Sequence, residues 1–343
     1  MDFEVVVATR NRPDLLAPTL RSILSQARLP TRLTVVDSSD EHEPVRAVVE
    51  KAGQGVPIEV EAIRAAPGLT GQRNVGLARV ETPVVFFPDD DVLWSEGAAD
   101  AVMKIYERDD DDQIAGIAMR EIHAAPPGYP EAHENRSSKS LASQLVYRFS
   151  PMRSRLERLV QQNPMHLRGR QLLAEHAAPD WLPELHAHPI PSMIGFRMTF
   201  RTEAIRKHGF DETLHAYALY EDNDASLSAL RSGLLVEAER AEVFHNRAPG
   251  RRTASIAGGA MLLLNLAYVA CKHSPVGSPA RKAIPKYAKL RGLQYRIRAS
   301  DGPGKARLEG FRRAVAQLPA LLEAEGDALA QAYTAATKAC TEE

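Results

Sequence analysis

Cysteine is scarce in this chain. Cys271 and Cys340 are the only two among 343 residues, too few for a disulfide framework and not spaced as metal ligands. A reducing compartment is expected. Neither sign of charge is in excess: 43 Lys and Arg stand against 44 Asp and Glu, a formal net charge of -1. No global field would therefore recruit nucleic acid or an anionic membrane. Long hydrophobic runs are missing too. The most apolar stretch, Ile256 to Cys271, is interrupted by Asn265 and falls short of the roughly 20 apolar residues that a bilayer span needs. It is expected as a buried amphipathic helix, with an interfacial membrane helix as the alternative. Met1-Asp2-Phe3-Glu4 is acidic and runs straight into an apolar strand, so no secretory leader is expected. Internal repeats are absent.

What remains is ordinary globular composition, 44% hydrophobic and 25% charged, enough to build one large domain or a domain with an appendage. Over the first hundred residues short β-rich runs alternate with helical ones. Phe3–Ala8, Leu33–Val36, Ile58–Ile63 and Pro83–Phe87 read as strands; Asp14–Gln26, Val45–Ala52 and Gly71–Arg79 read as helices. Alternation of this kind predicts an α/β fold with a mainly parallel sheet and right-handed crossovers. Ligands of such sheets sit at the carboxyl ends of the strands. Three polar clusters, Thr9–Arg12, Asp37–Asp40 and Asp89–Asp91, follow strand ends. Residues 121 to about 195 change character and read as a variable insertion of helices and a long loop. Thr199–Glu239 returns to regular structure. Beyond residue 253 the chain is helical, divided by Pro275, Pro279, Pro285 and the Ser300–Gly304 turn. A boundary near 252 is expected, giving 1–252 and 253–343.

Asp89, Asp90 and Asp91 follow a continuously apolar strand, where three adjacent carboxylates repel unless a cation or strong donors compensate. A hard divalent ion such as Mg²⁺ or Mn²⁺ would do so and bridge to a diphosphate. Asp109–Asp112 is a longer acidic run, but it follows the polar Tyr106-Glu107-Arg108 and reads as a solvated turn. Location separates the two. His186 and His188 alternate before Pro189 and would share a strand face, with no third ligand evident.

Several stretches, in order, resemble family 2 glycosyltransferases of the GT-A fold. Val5-Val6-Val7-Ala8-Thr9-Arg10-Asn11-Arg12 is similar to the first strand and its turn. Val35-Val36-Asp37-Ser38-Ser39-Asp40 resembles the second-strand motif, and Gly71-Gln72-Arg73-Asn74-Val75-Gly76 the Arg-Asn-x-Gly stretch. Phe86-Phe87-Pro88-Asp89-Asp90-Asp91 is similar to the DxD element. Gly195–Arg201, Gly209-Phe210-Asp211-Glu212 and Tyr220-Glu221-Asp222-Asn223-Asp224 resemble the acceptor-side strand, the following turn and the motif opening the base-bearing helix. The chain departs where many members have Asp-Asp-Gly-Ser after the second strand, and it has Ala8 where Pro is usual. It lacks a Gln-x-x-Arg-Trp element, which points to a non-processive enzyme.

The resemblance implies transfer of a sugar from a nucleotide-diphosphate donor (UDP-, GDP- or dTDP-linked) to an acceptor hydroxyl, with inversion. The acceptor would be a glycan, a lipid-linked molecule or a small molecule. Asp222 is implied as general base with Glu221 beside it. Asp91, Asp89 and His245 are implied as ligands of Mn²⁺ or Mg²⁺. Thr9, Arg12, Asp37, Arg73, Asp89, Asp90 and Arg251 are implied on the nucleotide side, Asp37 at the nucleobase and Arg251 on a basic loop that closes over the diphosphate. A retaining transferase on the same fold and a non-catalytic nucleotide-sugar-binding protein are the alternatives. A nucleotidyltransferase is disfavoured because Thr9–Pro13 contains no Gly. A cytoplasmic setting is expected, with peripheral contact at the inner face of the membrane. The helical tail is expected to cover the sheet, shape the acceptor cleft or form a homodimer contact, a reading that rests on fold analogy.

Overall fold

The computed structural model describes residues 1–129, 163–214, 217–246 and 255–341. The chain divides into two compact units, residues 1–132 with 169–248, and residues 133–168 with 249–343.

The first unit is built on a nine-stranded sheet. Strands β1 (Phe3–Thr9), β2 (Arg32–Asp37), β3 (Glu59–Arg64) and β4 (Val84–Pro88) alternate with helices α1 (Pro13–Leu24), α2 (Glu43–Gly53) and α3 (Leu69–Leu77). Next come β5 (Val92–Trp94), α4 (Ala98–Arg108) and β6 (Ile114–Ile122). The helix α5 (Pro164–Leu173), whose residues fall to both units, precedes β7 (Ala187–Pro189), β8 (Arg197–Arg201), α6 (Thr202–Arg206), α7 (Glu221–Ala229) and β9 (Leu234–His245). The spatial order is β3-β2-β1-β4-β8-β6-β9-β5, with β7 also on β9. The four N-terminal strands pair in parallel as the alternation predicts. Beyond them β8 runs antiparallel to both β4 and β6, while β9 is parallel to β6 and antiparallel to β5.

Burial explains the pattern. β4 is buried along its whole length, as a continuous apolar run covered on both faces should be. Leu16, Leu20 and Ile23 fall at helical spacing on α1 and pack into the core that also holds Phe3, Val35, Phe86 and Trp94. Phe86 touches Phe3 and Trp94 at ring-centroid distances of 4.6 and 5.5 Å, and each such buried ring contributes on the order of 1.5–3 kcal/mol.

Two expectations are corrected here. The acidic run Asp109–Asp112 is not simply solvated. Asp109 is buried, accepts the backbone N–H groups of Gln113 and Ile114, and pairs with Arg201 at 2.8 Å. Arg201 reaches from β8 to neutralise it, and also pairs with exposed Asp112 at 2.9 Å. His186 and His188 do not share a strand face. His186 ends a short 3-10 helix with left-handed backbone (φ 51°), and only His188 enters β7, where it meets Glu239 at 3.1 Å.

The second unit contains α8 (Ile256–Lys272), α9 (Pro279–Arg298), α10 (Gly302–Glu323) and α11 (Gly326–Thr341). The apolar stretch at 256–271 is the buried helix expected of it: from Leu263 to Cys271 every residue is buried. Asn265, buried within it, accepts the Tyr333 hydroxyl at 2.7 Å. Among the described residues no helix is long and apolar enough to cross a membrane. Pro285 does not divide the tail as expected. It lies inside α9, whose buried face carries Ala280, Ile284, Tyr287 and Ala288, so packing on both sides of the proline holds the helix through it.

One side chain gathers the helix ends. The buried guanidinium of Arg281 donates to the carbonyls of Cys271 (2.9 Å), Ser274 (2.7 Å), Leu322 (2.8 Å) and Ala324 (2.8 Å). It satisfies carbonyls at the C-terminal ends of α8 and α10, which have no partner within their own helices. The same two helices cross in close contact. A Cβ on Gly310 would stand 1.8 Å from the Ile256 carbonyl oxygen, and one on Gly259 2.1 Å from that of Arg307. The backbones approach too closely for any side chain. Gly310→Ala is expected to destabilise this unit by on the order of 1–3 kcal/mol, read as a lowered urea midpoint of helical circular dichroism.

Candidate functional site

Register brings the strand-end clusters together. Thr9 at the end of β1 pairs with Asp37 at the end of β2, and Ala8 bridges to Asp89 just past β4. The parallel strands therefore deliver all three clusters to one edge, the carboxyl edge on which such sheets bind ligands. Gln72 of α3 secures this edge from below, its buried amide donating to the carbonyls of Thr9 (2.9 Å) and Val36 (2.7 Å). Helix α3 can come this close because Gly76 has no side chain: a Cβ there would lie 2.2 Å from Val6 Cγ1.

The three aspartates have different environments. Asp90 is buried and turned inward. It accepts the Thr9 hydroxyl at 2.7 Å and an Arg12 N–H at 3.3 Å, while its backbone carbonyl accepts the Thr19 hydroxyl at 2.9 Å. Burial, reinforced by the Asp91 charge, pushes the Asp90 carboxyl up to about 7 despite those donors. Asp89 is the most exposed of the three, with side-chain exposure of 32%. Asp91 is buried, 3.1 Å from His245 Nε2 and 3.7 Å from Arg12.

His245 arrives at the end of β9, the last strand of the sheet in sequence, by strand register. β5 pairs with β9 so that Val92 faces His245, and the Asn246 N–H donates to the Asp91 carbonyl at 2.8 Å. The imidazole packs on Phe196, ring centroids 4.3 Å apart. One ligand atom each from Asp89, Asp91 and His245 all lie within 4.8 Å of one another. Two carboxylates and an imidazole on so small a span are a donor set that fits a divalent cation such as Mn²⁺ or Mg²⁺.

Beneath these groups lies Arg73 of α3, 2% exposed. It contacts Asp89 at 2.9 Å, Glu221 at 2.6 Å and the Gly195 carbonyl at 3.1 Å, and its guanidinium sits 5.3 Å from the Phe210 ring. The next residue, Asn74, fixes the turn that supplies Phe210: it accepts the Phe210 N–H and donates to the Phe210 carbonyl and Glu212, each at 2.8 Å. Glu221 opens α7 after Tyr220, whose φ of 73° is left-handed. Burial raises the Glu221 carboxyl above its ordinary value, against the pull of Arg73. Asp222, half-buried, accepts the Gly195 N–H at 3.0 Å and two N–H groups of Asn223 at 2.8 Å. Gly195 thus touches Arg73 through its carbonyl and Asp222 through its amide. A Cβ there would come within 2.9 Å of Glu221.

Asp37, also expected here, is fully buried. It accepts the Ser39 N–H at 2.8 Å and meets His42 Nδ1 at 2.6 Å. Asn11, with left-handed φ of 56°, ties the first two clusters together through Ser39 and Asp40. Thr9, Arg12, Arg73, Asp89, Asp90, Asp91, Glu221, Asp222 and His245 fall in one connected network; Arg251 lies outside the described residues. Sequence reasoning gave no role to Gln72, Gly195 or His42. For Gln72 the only signal was its place beside Arg73; for the other two the partner is set by the fold.

A search of the curated proteins returned no match. The family model described as "Glycosyl transferase family 2" matches residues 4–169. Among solved structures, that of S. aureus TarS 1-349 aligns over 98% of this chain and 90% of its own at 15% identity, TM-score 0.51. The mannosyltransferase PcManGT from Pyrobaculum calidifontis, solved with GDP-Man and Mn²⁺, aligns over 99% and 87% at 15% identity, TM-score 0.50. GalNAc-T7, solved with UDP, GalNAc and Mn²⁺, gives 14% identity and a TM-score of 0.54, over 92% of this chain and 54% of its own. At such identities the likeness speaks for fold. Residues 4–169 thus match the family 2 glycosyltransferase model from β1 onward, and the chain shares the GT-A fold of these solved structures.

Proposed function

We propose that the chain moves a sugar from a nucleotide-diphosphate donor to an acceptor hydroxyl with inversion, and depends on a divalent cation to do so. The observation that carries this reading is the convergence of Asp89, Asp91 and His245 within 4.8 Å at the carboxyl edge of the sheet. Asp91, Asp89 and His245 would hold the cation. When bound there, it supplies Lewis-acid neutralisation of the departing diphosphate.

The remaining work falls to the chain itself. Arg73 fixes Asp89 and contributes buried positive charge; Glu221 holds Arg73. Asp90 holds Thr9 and Arg12 in place at the donor edge from the buried side, and the buried Asp37 is assigned to the nucleobase side. Asp222 is assigned as general base. An ionised carboxylate has about four acceptor positions, and three are taken by Gly195 and Asn223. The fourth would receive the acceptor hydroxyl proton as oxygen attacks the anomeric carbon and the sugar–diphosphate bond breaks. Residues 1–252 form the catalytic domain in this proposal. The insertion at about 121–195 and the extension 253–343 then shape the choice of acceptor.

A thermal-shift series with UDP, GDP and dTDP, each with and without Mn²⁺, is expected to show metal-dependent stabilisation by one of them; ligand at a hundredfold its Kd adds about 2.7 kcal/mol. If none stabilises the chain, the donor reading is wrong. Asp91→Ala is expected to abolish both that metal-dependent shift and turnover. Asp222→Asn should lose at least 100-fold in kcat, in keeping with general-base catalysis, while keeping the nucleotide-dependent shift. Unchanged turnover would assign the proton transfer elsewhere. Product anomers read by NMR should be inverted relative to the donor.

A further inference from the structure

The second unit presents a groove of about 670 Å³ between α9 and α10, lined by Leu293, Phe311, Val315 and the basic Lys289, Arg296 and Arg312. Among the described residues no acidic side chain lines it. Large apolar side chains stand open at its mouth and beside it: Leu293 is 52% exposed, Ile297 76% and Val315 41%. The charge here is lopsided although the whole chain is nearly neutral. Pro279–Arg298 contains seven Lys or Arg and no Asp or Glu. Lys282, Lys286, Lys289 and Arg296 are exposed along it.

An exposed apolar patch with a basic rim calls for a partner that is both apolar and anionic. A second copy of the chain meets the apolar requirement but would oppose two rims of Lys289, Arg296 and Arg312. Nucleic acid meets the charge requirement but stacks on open aromatic rings, and Tyr287 and Phe311 are buried. We propose that this groove and its rim dock on the surface of an anionic phospholipid bilayer. Leu293, Ile297 and Val315 enter the headgroup–acyl boundary. Lys289, Arg296 and Arg312 lay their alkyl stems along the same surface and put their charges among the phosphates. The contact is peripheral, and it does not rest on the transferase assignment.

The test is co-sedimentation of the full chain with phosphatidylcholine vesicles, with and without phosphatidylglycerol. Binding is expected only with the anionic lipid and should weaken as salt rises. Each basic residue at such a surface is worth roughly fivefold in partitioning, so reversing all three (K289E, R296E, R312E) should reduce it more than 100-fold. Lys207→Glu, exposed in the first unit, should leave it unchanged. Leu293→Ser with Ile297→Ser, at positions too open to carry the core, should also reduce binding while circular dichroism and Tm stay as in the parent chain. The proposal is overturned if the parent chain ignores anionic vesicles, or if the charge-reversed chain binds them equally well. It is equally overturned if the patch instead supports a dimer that Leu293→Ser dissolves.

Discussion

A guanidinium buried to 2% exposure is stable only with counter-charge in contact, and Arg73 obtains it from two carboxylates far apart in sequence. This constraint organises the site. Asp89 comes from the end of β4, Glu221 from the start of α7, and the Gly195 carbonyl from the turn before β8. Each contact fixes a different segment relative to α3. A buried pair of this kind contributes little net stability over an apolar replacement, yet losing one partner is costly, because a lone charge stays behind. The arrangement is thus better understood as a device for position than as a source of stability. Gly195 carries the order onward, since its amide is one of the groups that hold Asp222.

The division of labour among the aspartates follows from the same geometry. Asp90 points down into the unit and ties α1 to the strand ends through Thr9, Arg12 and Thr19. Its neighbours on either side turn up toward His245. The Ala8–Asp89 bridge carries the sheet as far as Asp89, and the turn at Asp90 and Asp91 sends their side chains to different sides.

Much of this was legible in the sequence where the cause is local. The valine-rich runs made β1 and β2, the apolar Val84–Phe87 made a strand buried on both faces, and the acidic triplet was recognisable by what precedes it. Asp109 was misread because its counter-charge, Arg201, lies 92 residues away on β8. His245 was identified through resemblance alone; its approach to Asp91 depends on the β5–β9 register, which no local pattern encodes. Pro285 reads as a break by helix propensity alone, and packing on both sides overrides that propensity. His186 needed a left-handed backbone to leave the strand face, and neither its identity nor its spacing announces one.

The Arg281 hub has a consequence for shortening the chain. Two of its four carbonyls, Leu322 and Ala324, lie some forty residues further along, at the end of α10. A chain ending before them would leave the buried guanidinium with only the Cys271 and Ser274 carbonyls of its four. The helices of this unit therefore cannot be trimmed one at a time from the C-terminus as far as α10. A deletion series should tolerate loss of residues beyond Glu325 in proportion to the packing removed, then fail abruptly. The stretch from α8 to the end of α10 behaves as one piece because a single side chain closes it.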